Sequence, residues 1–414
     1  MGWGRKAAVA AAVLAVGGAA DAQTKQVVTG PVAVYWVSAQ TTSGMAGMMG
    51  AGPGGPGGGR RPSMGAMMGM MMGGGLSGGG QAQKSLTLQL GSSRSASGVP
   101  SADHLPPAEL GAGPSLPLLT PRIKPAEPEE PGVPPEYQKP RGKMLIFWGC
   151  GEHARPGQPI TIDFAQMTPE AMKAGKMPAG FEAMTKGFGL TPMRPPSPSR
   201  NTTYGEWPNE RTRMSVPSDG SLVGDHTVRG NYSPEIHFSL AQNQDFLGPL
   251  NITANSKTPV GANLIGWRGV PGAQAYLATA IGGGRNDTVV LWTSSEVQAS
   301  AFGMPDYISP ADLSRLVAQK ALMAPSTTSC VIPREVVQVA PEAMLQLAAY
   351  GGEANFVYPP RPSDPKVAWN QQWQVKVRYR SATSAILGMD MNGMGGDEEE
   401  QSPRPRMPFG IPRL

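Results

Sequence analysis

Short apolar runs of five to seven residues, rich in β-branched and aromatic side chains, recur along this chain with turn-forming residues between them. Lys143–Trp148 (KMLIFW), Pro159–Phe164 (PITIDF), Glu235–Leu240 (EIHFSL), Thr288–Trp292 (TVVLW) and Trp373–Tyr379 (WQVKVRY) are the clearest. Runs this short do not sustain a helix, but they suit a pleated surface with one buried face. Leu222–Val228, Leu250–Ala254, Asn263–Trp267, Ala273–Ala280 and Cys330–Ile332 follow the same pattern. Their close spacing predicts a mainly β protein, an antiparallel β-sandwich of one or two units. One short helix is expected near 310–323, where Ser309-Pro310-Ala311-Asp312 forms a cap and Leu313, Leu316, Val317 and Leu322 share a face. Met344–Ala349 fits a strand or a helix equally well.

The rest of the length is of another kind. Glycine and proline number 55 and 43 among 414 residues, a share that approaches low complexity, so long insertions outside the core are expected. Residues 23–42 hold the strand-like Val27–Ala39, read as one strand or as two broken at Gly30-Pro31. Residues 43–83 form a Gly/Met-rich tract too glycine-dense to offset its ordering entropy, and are expected to be a disordered loop. Residues 84–99 hold a second strand, Lys84–Leu90 (KSLTLQL), and 100–142 read as a Pro-rich, extended linker. The β-rich core is expected over 143–387, with a flexible excursion at 167–220, and 388–414 reads as a disordered tail.

Met1–Ala22 has the three parts of a cleavable signal peptide. Arg5 and Lys6 give the positive start, Ala7–Val16 the apolar stretch, and Ala20-Asp21-Ala22 the small-residue cleavage site. The mature chain is then expected to begin near Gln23 and to be exported to the periplasm, the cell surface or the medium. Past Ala22 no apolar stretch is long enough for a transmembrane helix. In an oxidising compartment the two cysteines, Cys150 and Cys330, are expected to form one disulfide.

The formal charge of +5 is small and scattered, with no dense Lys/Arg run interleaved with aromatics, which argues against a nucleic-acid partner. No phosphate-loop motif is present. Three groupings bear on chemistry. Cys150 and His153 form a Cys/His pair, which a disulfide would disable as a nucleophile. Asp225-His226 and Glu235-Ile236-His237 flank one expected hairpin, where an acid/base pair competes with ordinary structural histidines. Met67, Met68, Met70, Met71 and Met72 offer several soft thioether sulfurs to a single Cu(I) ion, although no His or Cys is nearby.

Ile252, Leu264-Ile265-Gly266-Trp267, Val270-Pro271-Gly272-Ala273 and Tyr276 together resemble the strand pattern of fibronectin type III and related immunoglobulin-like modules, over about 250–292. That resemblance implies that Trp267 and Tyr276 pack in a core, and carries no functional residue. The whole sequence also resembles uncharacterised exported proteins of Gram-negative bacteria, which implies a compartment and no activity. The expected role is a non-catalytic envelope or extracellular binding or assembly protein with a protein or polysaccharide partner. Copper handling in the periplasm through the methionine tract, and a hydrolase with an unrecognised site, are the alternatives.

Overall fold

The computed structural model describes residues 30–45, 82–121, 142–166, 187–212, 214–298, 304–364 and 366–389, with scattered positions between 166 and 187. The described residues are mainly β. In chain order the strands are β1 (Ala33–Ser43), β2 (Gln83–Ser92), β3 (Ala102–Leu105), β4 (Leu116–Leu118), β5 (Lys143–Trp148), β6 (Ile160–Asp163), β7 (Thr203–Trp207) and β8 (Gly224–Gly230). They continue as β9 (Ile236–Leu240), β10 (Ile252–Lys257), β11 (Asn263–Trp267), β12 (Ala273–Gly283), β13 (Thr288–Thr293), β14 (Ser329–Ile332), β15 (Met344–Tyr358) and β16 (Trp373–Ile386). Helices α1 (Pro310–Ala318) and α2 (Arg334–Val339) flank β14.

The strands form a nine-stranded sheet in the order β6-β5-β13-β12-β15-β16-β1-β2-β7, a four-stranded sheet β4-β3-β8-β9 and a three-stranded sheet β10-β11-β14. Alternation along the strands explains the layering. Tyr35 and Val37 of β1, Leu88 and Leu90 of β2, and Val375 and Val377 of β16 point to one side, into a single apolar core. The four-stranded sheet contributes Leu116, Leu118, Val228 and Phe238 to that core, and the three-stranded sheet adds Ile265, Trp267 and Ile332. Each smaller sheet therefore lies on the same face of the large one, as a sandwich requires. A second, smaller cluster on the opposite face joins Leu277, Ala348 and Tyr350 to Leu313 and Leu316 of α1. The cap is as the sequence indicates: the Ser309 side chain accepts from the Asp312 N–H.

Three features differ from the sequence reading. The sandwich is not wholly antiparallel, because β1 runs parallel to β16, from Ala33 opposite Trp373 to Ser43 opposite Thr383, and β13 runs parallel to β5. Periodicity reports which face of a strand is buried and says nothing about which distant strand lies beside it. The Pro-rich stretch 100–142 is not simply a linker, since β3 and β4 come from it. Pro117 is accommodated because β4 is an edge strand of its sheet, where a missing N–H costs no ladder bond. The excursion 167–220 contains β7, which sits at the edge of the large sheet. There Leu119 and Glu206 exchange backbone hydrogen bonds of 3.1 and 2.9 Å, so the large sheet meets the four-stranded one edge to edge. The approach needs a glycine: a Cβ on Gly205 would lie 2.5 Å from Tyr232 Oη and 2.8 Å from the Leu118 carbonyl oxygen.

Trp267 and Tyr276 are buried with ring centroids 5.5 Å apart, and the Tyr276 hydroxyl accepts from the Val270 N–H at 2.8 Å. They lie in different sheets, β11 in the three-stranded and β12 in the nine-stranded. The Gly/Met-rich tract falls between β1 and β2, and its residues 46–81 lie outside the described residues, as does the C-terminal segment from 390.

Candidate functional site

Two clusters of polar side chains stand out, one inside the sandwich and one on the far face of the large sheet. Inside, β1 supplies Tyr35, β3 supplies His104 and β8 supplies His226. The Tyr35 hydroxyl lies 2.8 Å from His104 Nδ1, His104 Nε2 lies 3.1 Å from His226 Nδ1, and His226 Nε2 lies 2.7 Å from the Leu222 carbonyl oxygen. Both imidazoles are buried, and the His226 ring stacks on Phe238 at 4.7 Å and 4°. Burial holds His104 well below the ordinary histidine value, with His226 nearby adding to the effect, and burial likewise lowers His226. Burial also raises the Tyr35 phenol well above its ordinary value. All three groups are therefore neutral near pH 7.

The far face gathers positive charge. Trp36, Ser38 and Gln40 of β1 lie in register with Lys376, Arg378 and Arg380 of β16. The Arg378 guanidinium carbon sits 4.6 Å from the Trp36 ring centroid and 4.3 Å from that of Tyr307, so the cation is held between two aromatic faces. Its Nε donates to Ser38 Oγ at 2.8 Å. Among the described residues no carboxylate lies within ion-pair distance of Arg378, although Glu353, opposite it on β15, and Asp306 both act on its charge. Arg380 does have such a partner, Asp306 at 3.0 Å, and it also bonds Gln40 Oε1 at 3.2 Å. Lys376 pairs with Glu353. Two buried atoms here have no hydrogen-bond partner, Arg380 Nε and Glu353 Oε1. Burial lowers the Arg378 guanidinium below its ordinary value and pushes the Tyr307 phenol up to about 12.

Part of this face is roofed by the chain from Phe188 to Pro196. One end is fixed at α1, where Arg315 donates to the Phe188 and Gly189 carbonyls at 3.1 and 3.0 Å and the Thr191 N–H donates to Asp312 at 3.0 Å. The other end meets β2, where Gln89 Nε2 donates to the Pro196 carbonyl at 3.4 Å. Beside it, Ser85 and Thr87 of β2 are exposed, which leaves a row of hydroxyls open to solvent next to the cationic column.

The residues singled out from sequence fall out as follows. Cys150 and Cys330 are bonded to each other, with Cα atoms 5.4 Å apart across a sequence separation of 180. The bridge ties the turn after β5 to β14, linking the large sheet to the three-stranded one. His153, exposed, lies 3.3 Å from Glu335, and with the thiol oxidised it has no nucleophile to activate. His226 and His237 do not form an acid/base pair. They occupy alternate faces of the β8–β9 hairpin, His226 inside and His237 in solvent 3.2 Å from Glu235. Met67, Met68, Met70, Met71 and Met72 lie outside the described residues. Among the described residues no group of three His, Cys, Asp or Glu side chains is placed to hold a metal ion. An open cleft of about 340 Å³ lies where β1 ends and β2 begins, lined by Thr41, Lys84, Phe246 and Leu247 among others. The one cation among its described lining residues, Lys84, is already engaged by the Gly220 carbonyl at 2.8 Å and the Phe246 ring at 5.3 Å.

Sequence reasoning missed both clusters. Arg378 was legible as an outward position of an alternating strand, yet Trp36 lies across the sheet from a strand more than three hundred residues away. His104 sat in a stretch dominated by proline. Compared with models of protein families, with curated proteins and with solved structures, the chain matches none.

Proposed function

We propose that this is an exported, non-catalytic binding or assembly protein of the envelope or extracellular space, and that the far face of its large sheet receives anionic groups of a protein or polysaccharide partner. The observation that carries the binding reading is Arg378, a guanidinium held between Trp36 and Tyr307 whose neighbouring carboxylates, Glu353 and Asp306, are ion-paired with Lys376 and Arg380 instead. A cation fixed in this way has already lost its side-chain entropy and much of its hydration, so a carboxylate meets it at little further cost. The exposed Ser85 and Thr87 hydroxyls alongside suit the hydroxyl-rich surface of an acidic polysaccharide. The address is supported by the Cys150–Cys330 bridge, a bond that persists in oxidising compartments, and by the leader-like Met1–Ala22. Among the described residues no helix is long and apolar enough to cross a membrane.

The mature protein is expected to be retained on immobilised alginate, a polyuronate, in a salt-sensitive manner and to pass through uncharged dextran. Arg378→Gln should weaken retention by about tenfold, the scale of one charge-assisted contact. Equal retention of the variant, or none by either protein, defeats the reading of this face. Export is checked separately by the N-terminus of the protein made in its host, expected near Gln23; a cytoplasmic chain with its first residues intact defeats that part.

A further inference from the structure

A buried hydrogen-bond chain that is already complete has no site for an added proton. The Leu222 carbonyl can only accept, so His226 Nε2 carries a hydrogen and His226 Nδ1 is the acceptor. His104 Nε2, 3.1 Å away, must then be the donor, and His104 Nδ1 accepts from the Tyr35 hydroxyl. One carbonyl thus fixes the tautomer of both rings. A proton added at His226 Nδ1 meets the His104 N–H head on. A proton added at His104 Nδ1 forces the Tyr35 hydroxyl to accept, leaving its hydrogen without a partner, and places an imidazolium where no carboxylate bonds to either ring. The titratable groups around the pair are Tyr35 from β1, Tyr232 from the turn after β8, and Asp225, exposed on β8 itself. Strand β9 meets the rings with Phe238, which is tilted against Phe356 of β15.

The position of the chain gives it leverage. Tyr35 belongs to the nine-stranded sheet and the histidines to the four-stranded one, so the bonds cross the layer between them. The three-stranded sheet is bound to the large sheet through Cys150–Cys330, whereas the four-stranded sheet has no covalent tie of that kind. We propose that Tyr35–His104–His226 is an acid-sensitive latch: on acidification the four-stranded sheet loosens from the large sheet, hinged at the Leu119–Glu206 edge, while the large sheet and the disulfide-tied one stay folded.

Hydrogen exchange of the mature, disulfide-intact protein tests this. Between about pH 7.5 and about pH 5, the span in which histidines change charge, amides of β3, β8 and β9 should lose protection by about tenfold or more after correction for intrinsic rates, and those of β12 and β15 should not. The His104→Gln/His226→Asn double variant, which keeps amide donors and acceptors but cannot take up a proton, should show no such difference. Uniform loss of protection across all sheets, no loss, or the same loss in the variant each overturn the latch. Should the variant not fold, the wild type still decides by ring-proton NMR. His104 and His226 should titrate together with the loss of β8 protection, and titration of either ring with protection intact overturns the proposal.

Discussion

On one face of the large sheet Tyr35, Val37, Val375 and Val377 meet the apolar side chains of the smaller sheets; one residue further along the same strands, Trp36, Ser38, Lys376 and Arg378 make up the other face. Both sets are largely shielded from water, by different physics. On the inner face the free energy comes from apolar area removed from water, which is non-directional and tolerates an imperfect fit. On the far face it comes from stacked cations, an ion pair and directed hydrogen bonds, each of which works only if its partner is in place. Along β1 and β16 the inner face therefore specifies the fold, and the far face is free to specify something else.

The largest way to break this contrast is at the bridge. Replacing both Cys150 and Cys330 by serine frees a loop of 180 residues, for which chain-entropy reasoning gives up to about 5 kcal/mol. Denaturant unfolding should show most of that as a lowered midpoint, while the far face of the folded variant keeps its alginate retention. Next comes the inner face itself. Leu88→Ala at a fully buried position should cost about 2–5 kcal/mol, again by denaturant midpoint, and should leave alginate retention of the folded protein as it was. Acid gives a smaller and graded effect. His104 and His226 are depressed in the folded state, so the stability they contribute is complete above the unfolded value near 6.5 and is lost as pH falls from there toward their folded values. Each adds a slope of at most about 1.4 kcal/mol per pH unit in that window, measurable as a fall in Tm between neutral and mildly acidic buffer; a flat profile would show that the buried pair does not govern acid stability. The smallest effect is expected on the far face: Arg378→Ala should cost only about 1–2 kcal/mol, from two lost ring contacts, while changing anion retention more than any inner-face substitution does. A loss as large as that of Leu88→Ala would make Arg378 part of the scaffold and erase the distinction between the faces.

Much of the inner face was legible in the sequence because alternation is a local property. KMLIFW, EIHFSL, TVVLW and WQVKVRY are all strands, and Asn263–Trp267 is a strand with the bounds its pattern gives. Strand β15 was only half visible: Met344–Ala349 fits a strand or a helix equally well, and the continuation passes through Gly351-Gly352 at a bulge between Tyr350 and Glu353. Strands β3, β4 and β7 were hidden by the prolines around them; β4 carries one within it, Pro117, which its edge position tolerates and a sequence window does not reveal. The disulfide could be inferred because two cysteines allow a single pairing. The two polar clusters were not legible, for a reason that applies to both: Trp36 with Arg378, and His104 with His226, are brought together by strand pairing between remote segments, and no spacing along the chain marks them.

Because β1 lies between β2 and β16, the ladder on one side of the first strand waits for the last. During synthesis the ribosome must release almost the whole described chain before that ladder can form. Folding dominated by such remote pairings is slow. On the export proposed above, such a delay would keep the polypeptide threadable until it has crossed the membrane, with the sheet closing afterwards.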